Sequence, residues 1–107
     1  MEGLGLELPR EKETGSHVYH LYVTQVDRRD QVLQTLEDQG VSAGIHYPVA
    51  LPFLDAYRHL GHTPQEFPVT HTQMDRLISL PIYPEITIEQ IKFVAATLAT
   101  ALLPKKD

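Results

Sequence analysis

No cysteine occurs in this chain of 107 residues. That absence removes disulfide scaffolds, CxxC redox sites, cysteine zinc ribbons and thiol nucleophiles. Basic residues are in deficit too, with nine Lys and Arg against fourteen Asp and Glu and a formal net charge of −5. The nine are scattered rather than banded, which argues against a general binder of the nucleic-acid backbone. Long apolar runs are missing, and none approaches the ~20 residues that a membrane-spanning helix needs. The opening segment, MEGLGLELPREKETGSH, has glutamates where a signal peptide would carry a basic and then an apolar stretch. A cytoplasmic, soluble protein is the expectation, with neither nucleic acid nor membrane as partner.

Phosphate-cradling glycine patterns are absent as well: there is no G-x-G-x-x-G and no P-loop. The three serines, Ser16, Ser42 and Ser79, sit outside any G-x-S-x-G elbow. No internal repeat or low-complexity block stands out. The length supports one domain, or part of a larger one, burying about two thirds of its unfolded surface.

Periodicity then divides the chain. Residues 1–16 mix Gly, Pro, Glu and Lys without a repeat and read as a tail or linker, residues 17–103 as a domain, and residues 104–107 as a second tail. HVYHLYVTQV, residues 17–26, alternates at period two and predicts a strand, with Tyr19, Leu21 and Val23 on its apolar face. Val32, Leu33 and Leu36 share a helical stripe over residues 28–39, with Asp27 and Asp30 as candidate caps and Gly40 at the left-handed end position. A second strand is expected from Val41 to His46. Leu51–Gly61 predicts helical turns. Residues 68–77 predict a helix that begins at Pro68, with Val69, Gln73, Met74 and Leu77 as its stripe. Residues 78–84 predict a strand interrupted by Pro81.

The last element is the clearest. Thr87 and Gln90 form a capping box, flanked by Ile86 and Ile91 at the hydrophobic-staple positions. Ile91, Val94, Ala95, Leu98, Ala101 and Leu102 follow as one apolar stripe that ends at Pro104. The fold class expected is α+β, with a short, mostly antiparallel sheet of about three strands covered by helices.

Six histidines raise the question of a metal. His17 and His20, three apart on an expected strand, point to opposite faces, and His59 and His62 straddle Gly61 without an obvious carboxylate partner. No metal site is expected. The segment with most chemical content is GIHYPVALPFLDAY, from Gly44 to Tyr57. His46 and Tyr47 stand just before Pro48, which stiffens the chain and presents them at a fixed place on the domain edge.

Taken together, HVYHLYV, the run from DRRDQ through GIHYPVALPFLDAYRHLG, FPVTH, and LISLPIYPEITIEQIKFV strongly resemble the DegT/DnrJ-type aminotransferases. These enzymes depend on pyridoxal phosphate and transfer an amino group to keto-sugar nucleotides. The match is to their C-terminal small domain, over roughly residues 9–103. The resemblance implies that the G-I-H-Y-P loop faces the active-site cleft and that His46 and Tyr47 contact the sugar-nucleotide substrate. It also implies what this chain does not carry. The lysine that holds the cofactor, and the groups around the cofactor's ring and phosphate, belong to the large domain. Lys12, Lys92, Lys105 and Lys106 lie outside the family's lysine motif.

No catalytic or cofactor-binding residue is therefore expected in this chain, and activity alone is not expected. Pyridoxal phosphate would belong to the full-length family member. The expected partner is an aminotransferase large domain or a self-associating copy. A non-catalytic binding or dimerisation module derived from this domain is the alternative, and a generic small-ligand regulatory domain is a third reading.

Overall fold

The computed structural model describes residues 5–103. The tail expected at 104–107, with the terminating Pro104, lies outside the described residues, as do residues 1–4. A three-stranded antiparallel sheet runs through the molecule in the order β1 (Leu6–Glu7), β2 (Tyr22–Val26), β3 (Leu77–Leu80). Three α-helices accompany it: α1 (Arg29–Asp38), α2 (Pro68–Met74) and α3 (Ile88–Leu102). The class is α+β, as the patterning predicts.

Membership of the sheet differs from the expectation. Leu6 and Glu7, inside the expected tail, pair with Val26 and Gln25. The strand expected at residues 41–46 shrinks to one bridge, Gly44 against Ser79. Its start is drawn elsewhere, because Val41 turns into the core to complete the end of α1. There Gly40, at φ 82°, donates to the Glu37 carbonyl and Val41 donates to the Leu36 carbonyl, the bonds of a Schellman cap.

The strand expected from His17 begins only at Tyr22. Two causes act together. β3 ends at Leu80, because Pro81 has no N–H to extend the ladder, so residues before Tyr22 have no partner strand. Upstream, Tyr19 adopts φ 50° and donates its N–H to His17 Nδ1 at 2.8 Å, a local bond that replaces a ladder bond.

The buried face of β2 is also the reverse of the one expected. Thr24 and Val26 are fully buried, on the side opposite Val23. Cross-strand register explains it: Thr24 stands opposite Ile78 and Tyr22 opposite Leu80, so this face meets the apolar side of β3. The Thr24 hydroxyl donates to the Ile78 carbonyl at 3.1 Å, which satisfies its burial.

Helices α1 and α3 cover that face. Val26, Val32, Leu36, Val41, Ile78, Leu98 and Leu102 form one buried cluster, with Leu33, Val94 and Ala101 packed on its edge. The stripe expected on α3 is thus core in its C-terminal half, whereas Ile91 and Ala95 line an open apolar groove with Ile82 and Ile86. The capping box is present: Gln90 N–H donates to Thr87 Oγ1 at 3.1 Å and Thr87 N–H donates to Gln90 Oε1 at 2.9 Å.

At the start of α1 neither Asp27 nor Asp30 caps the helix. Arg28 occupies the cap position with a left-handed backbone, which directs the Asp27 side chain to Arg76, and Asp30 pairs with Arg29 instead. Arg29 is 8% exposed, and its guanidinium donates to the Met74 and Leu77 carbonyls at 2.9 and 3.2 Å. It thereby ties α1 to the link between α2 and β3. Helix α2 starts at Pro68 as expected but ends at Met74, so Leu77 enters β3, and Val69 is exposed. His71 packs edge-on to Phe53 in its place. Leu51–Gly61 forms two short 3-10 turns broken at an extended Leu54, with Gly61 at φ 68° ending the second.

Candidate functional site

Side chains alternate along β3, so Ile78 enters the helix-covered core while Leu77 and Ser79 face the other side of the sheet. That second face is where the G-I-H-Y-P loop arrives. Gly44 and Ser79 exchange both backbone bonds, Gly44 N–H to the Ser79 carbonyl at 3.0 Å and Ser79 N–H to the Gly44 carbonyl at 2.7 Å. The loop is therefore fastened to the sheet two residues before His46.

His46 is exposed, yet its Nδ1 lies 2.8 Å from the Oγ of Ser79, a residue 5% exposed. The ring sits above Gly44: a Cβ on that residue would be 3.3 Å from His46 Cε1. A side chain there would crowd the imidazole, so the glycine allows this close approach. Tyr47 is 73% exposed, and its ring meets that of His46 edge-to-face at 5.5 Å between centroids. The two sequence-predicted residues are thus adjacent, solvent-facing and anchored at one point.

Beyond Tyr47 the chain borders an apolar groove of roughly 730 Å³, walled by Pro48, Leu51 and Leu54 on one side and by Gln73, Met74 and Leu77 on the other. A volume of this order can bury much of a small organic molecule. Its lining contains no charged residue. The arrangement offers an imidazole, a phenol and an apolar floor, which together suit a ligand with both polar hydroxyl or phosphoryl groups and a flat or apolar portion.

The same lining bears on a cofactor. Pyridoxal phosphate needs a lysine for its aldehyde and a set of donors for its phosphate. Lys12 and Lys92 are exposed and line neither the groove beside Tyr47 nor the one beside Ile91. The residues of these grooves do not fit that group.

Among the described residues no set of three or more His, Asp or Glu side chains comes together as a metal site. Two of the histidines have other partners: His17 accepts the Tyr19 N–H, and His62 Nδ1 lies 3.0 Å from Glu66 Oε2. That contact, aided by bonds from Thr63, holds the Glu66 carboxyl below its usual range. Among the described residues no helix is long and apolar enough to cross a membrane.

Ser79 is the residue of this constellation that sequence patterning left aside, because it lacks an elbow motif. Its signal was its place in S-L-P-x-Y-P, on a strand whose other residues are apolar.

Comparison with known proteins follows the same outline. Residues 1–99 match the family model of the DegT/DnrJ/EryC1/StrS aminotransferases, and the chain belongs to that family. The erythromycin biosynthesis sensory transduction protein EryC1 of Saccharopolyspora erythraea is 36% identical over 94 residues, covering 88% of this chain and 26% of that protein. The UDP-N-acetyl-3-dehydro-alpha-D-glucosamine 3-aminotransferase of Acidithiobacillus ferrooxidans is 32% identical over 100 residues, 94% of this chain and 27% of its own length.

Among solved structures, DesV of S. venezuelae in complex with a ketimine intermediate superposes with a TM-score of 0.82 at 26% identity, covering 97% of this chain and 29% of that one. An aminotransferase of the same family from Brucella abortus gives 0.81 at 21% identity over 90% and 26%, a likeness of fold. The chain thus spans about a quarter of the length of the curated relatives it matches.

Proposed function

We propose that this chain serves as the substrate-facing small domain of a pyridoxal-phosphate-dependent sugar-nucleotide aminotransferase. In this reading His46 and Tyr47 contact a keto-sugar nucleotide, and a large domain supplies the cofactor and its lysine. The single observation that carries it is the exposed His46–Tyr47 pair, whose tyrosine borders an apolar groove, in a chain whose residues 1–99 match this aminotransferase family. The names of two relatives, an N-acetylglucosamine-derived aminotransferase and an enzyme caught with a ketimine, support the substrate class and the chemistry.

Each residue has a chemical role in this reading. His46 offers a ring nitrogen to a sugar or phosphoryl oxygen, and Tyr47 offers a phenol and a stacking face to a sugar or base. The apolar walls from Pro48 to Leu54 and from Gln73 to Leu77 would be closed by the large domain or by a second copy. Among the described residues pyridoxal phosphate finds no lysine held among suitable donors, and in this reading the chain supplies substrate contacts while the large domain supplies the covalent step.

Two measurements on the chain test this. Mixing it with pyridoxal phosphate and reducing with borohydride should yield no adduct specific to one lysine. A single stoichiometric adduct would overturn the division of labour. Titration with UDP-N-acetylglucosamine or dTDP-glucose, followed by NMR, should shift amides in residues 44–57, and His46→Ala should weaken the response about tenfold, the loss of one good polar contact. Shifts confined to other regions would overturn the site.

A further inference from the structure

The Ser79 hydroxyl is buried on the sheet beneath an exposed imidazole, and the balance of its hydrogen bonds has a chemical consequence. Its backbone N–H and carbonyl are both taken by Gly44. Among the described residues, the one partner of its Oγ is His46 Nδ1, at 2.8 Å. A hydroxyl proton left unpaired at a site this enclosed is costly, so the proton goes to the available acceptor, Nδ1. A neutral imidazole that accepts at Nδ1 carries its own hydrogen at Nε2. Gly44 beneath the ring and the edge of Tyr47 beside it hold the same orientation.

We propose that Ser79 is a positioning residue: it locks His46 as the Nε2–H tautomer and presents that N–H as a donor to an oxygen of the substrate. The proposal rests on the reading of His46 as a substrate contact, but the tautomer can be read without any ligand. The function assigned to Ser79 is orientation, since His46 stands between it and any bound molecule. In this arrangement His46 does not accept a proton from the substrate at Nδ1, because that nitrogen faces the sheet. The oxygen it meets must be an acceptor, such as a phosphoryl or carbonyl oxygen or a sugar hydroxyl oxygen.

The test is a long-range ¹H–¹⁵N spectrum of the histidine rings in the free chain under basic conditions, where the rings are neutral, with exposed His59 as internal reference. His46 should show a higher Nε2–H population than His59. In Ser79→Ala that excess should disappear while the amide spectrum stays that of a folded chain, and Ser79→Thr, which restores a hydroxyl, should bring it back. Equal tautomer populations for His46 and His59 in the parent, or an excess that survives in Ser79→Ala, would overturn the proposal. UDP-N-acetylglucosamine and dTDP-glucose are then titrated into all three chains. Ser79→Ala should bind about fivefold more weakly, the effect of one mispositioned hydrogen bond, and Ser79→Thr should recover most of that loss. If neither sugar nucleotide binds the parent, the substrate reading fails, and the tautomer populations alone still decide the role of Ser79.

Discussion

Strand β3 has two sides with different fates. On one, Ile78 packs into a sealed cluster with Val26, Leu36 and Leu98 under two helices. On the other, Leu77 lines a groove whose walls come from a loop and a two-turn helix, while Ser79 lies beneath the exposed ring of His46. The helix-covered face is closed by residues within this chain and carries its stability. The groove face has polar groups in defined places but apolar walls left open, as expected of a surface completed by something else. One strand thus serves as the floor of a core and the floor of the candidate site, because neighbouring residues point to opposite faces.

The same substitution made on the two sides tests this contrast most severely. Leu98 is 1% exposed and Leu51 68% exposed. Leu98→Ala should cost about 3 kcal/mol, from lost burial plus the cavity left behind. Leu98→Asp should abolish cooperative folding. Leu51→Ala, on the groove wall, should stay within about 0.5 kcal/mol of the parent. Urea unfolding of the three chains measures all of this. A comparable loss at Leu51 would show that the groove face belongs to the stabilising core, which would remove the distinction.

A smaller effect is expected at the joint between the two sides. Arg29 extends from α1 to the carbonyls of Met74 and Leu77, which bound the segment joining α2 to β3. Arg29→Met keeps much of the apolar stem but leaves both carbonyls without their donor, and should destabilise by about 2 kcal/mol. Its marker is the pattern of hydrogen exchange. Protection should fall in residues 68–77 more than in α3. Uniform loss throughout the chain would mean that Arg29 supports only the core.

The smallest effect concerns the loops beside the groove. Glu66 is held below its ordinary value of 4.5, first by the His62 contact and then by Thr63. A carboxyl whose folded value is depressed adds stability that is present above its unfolded value and is lost as pH falls through the folded one. The advantage of the parent over His62→Ala should therefore be present near neutrality and vanish in acid. Glu66 titration followed by NMR should move upward in His62→Ala. An unchanged midpoint would remove His62 as the cause. The half-exposed setting of this pair keeps its weight small.

Legibility in the sequence follows the range of the interactions. The α3 capping box, the glycine closing α1 and the start of α2 at Pro68 all depend on residues within a few positions, and all appear as read, whereas the strand expected over residues 78–84 with an interruption at Pro81 spans only Leu77–Leu80. The exposure and adjacency of His46 and Tyr47 also follow from the local G-I-H-Y-P pattern. The errors are of another kind. Val23 lay on the expected apolar face of β2 and Thr24 on the opposite, more polar one, yet Thr24 is fully buried because it stands opposite Ile78, 54 residues away, and because its hydroxyl finds that residue's carbonyl. Leu6 and Glu7 carried too weak a pattern to mark a strand, and pairing with β2 makes them one. Asp27 had the right chemistry for a helix cap, but the left-handed backbone at Arg28 and the charge on Arg76 direct it elsewhere.

By itself, then, the sequence determined the class of the fold, the capped start of α3, the glycine that closes α1, the family and the loop that carries polar groups, because each of these is specified by residue types at short spacing. The tertiary structure decided which side of the central strand is core, which segment completes the sheet, and that a serine 33 residues from His46 lies beneath its ring. Those outcomes depend on cross-strand register, and register is settled only when distant strands meet and one face of the sheet is covered.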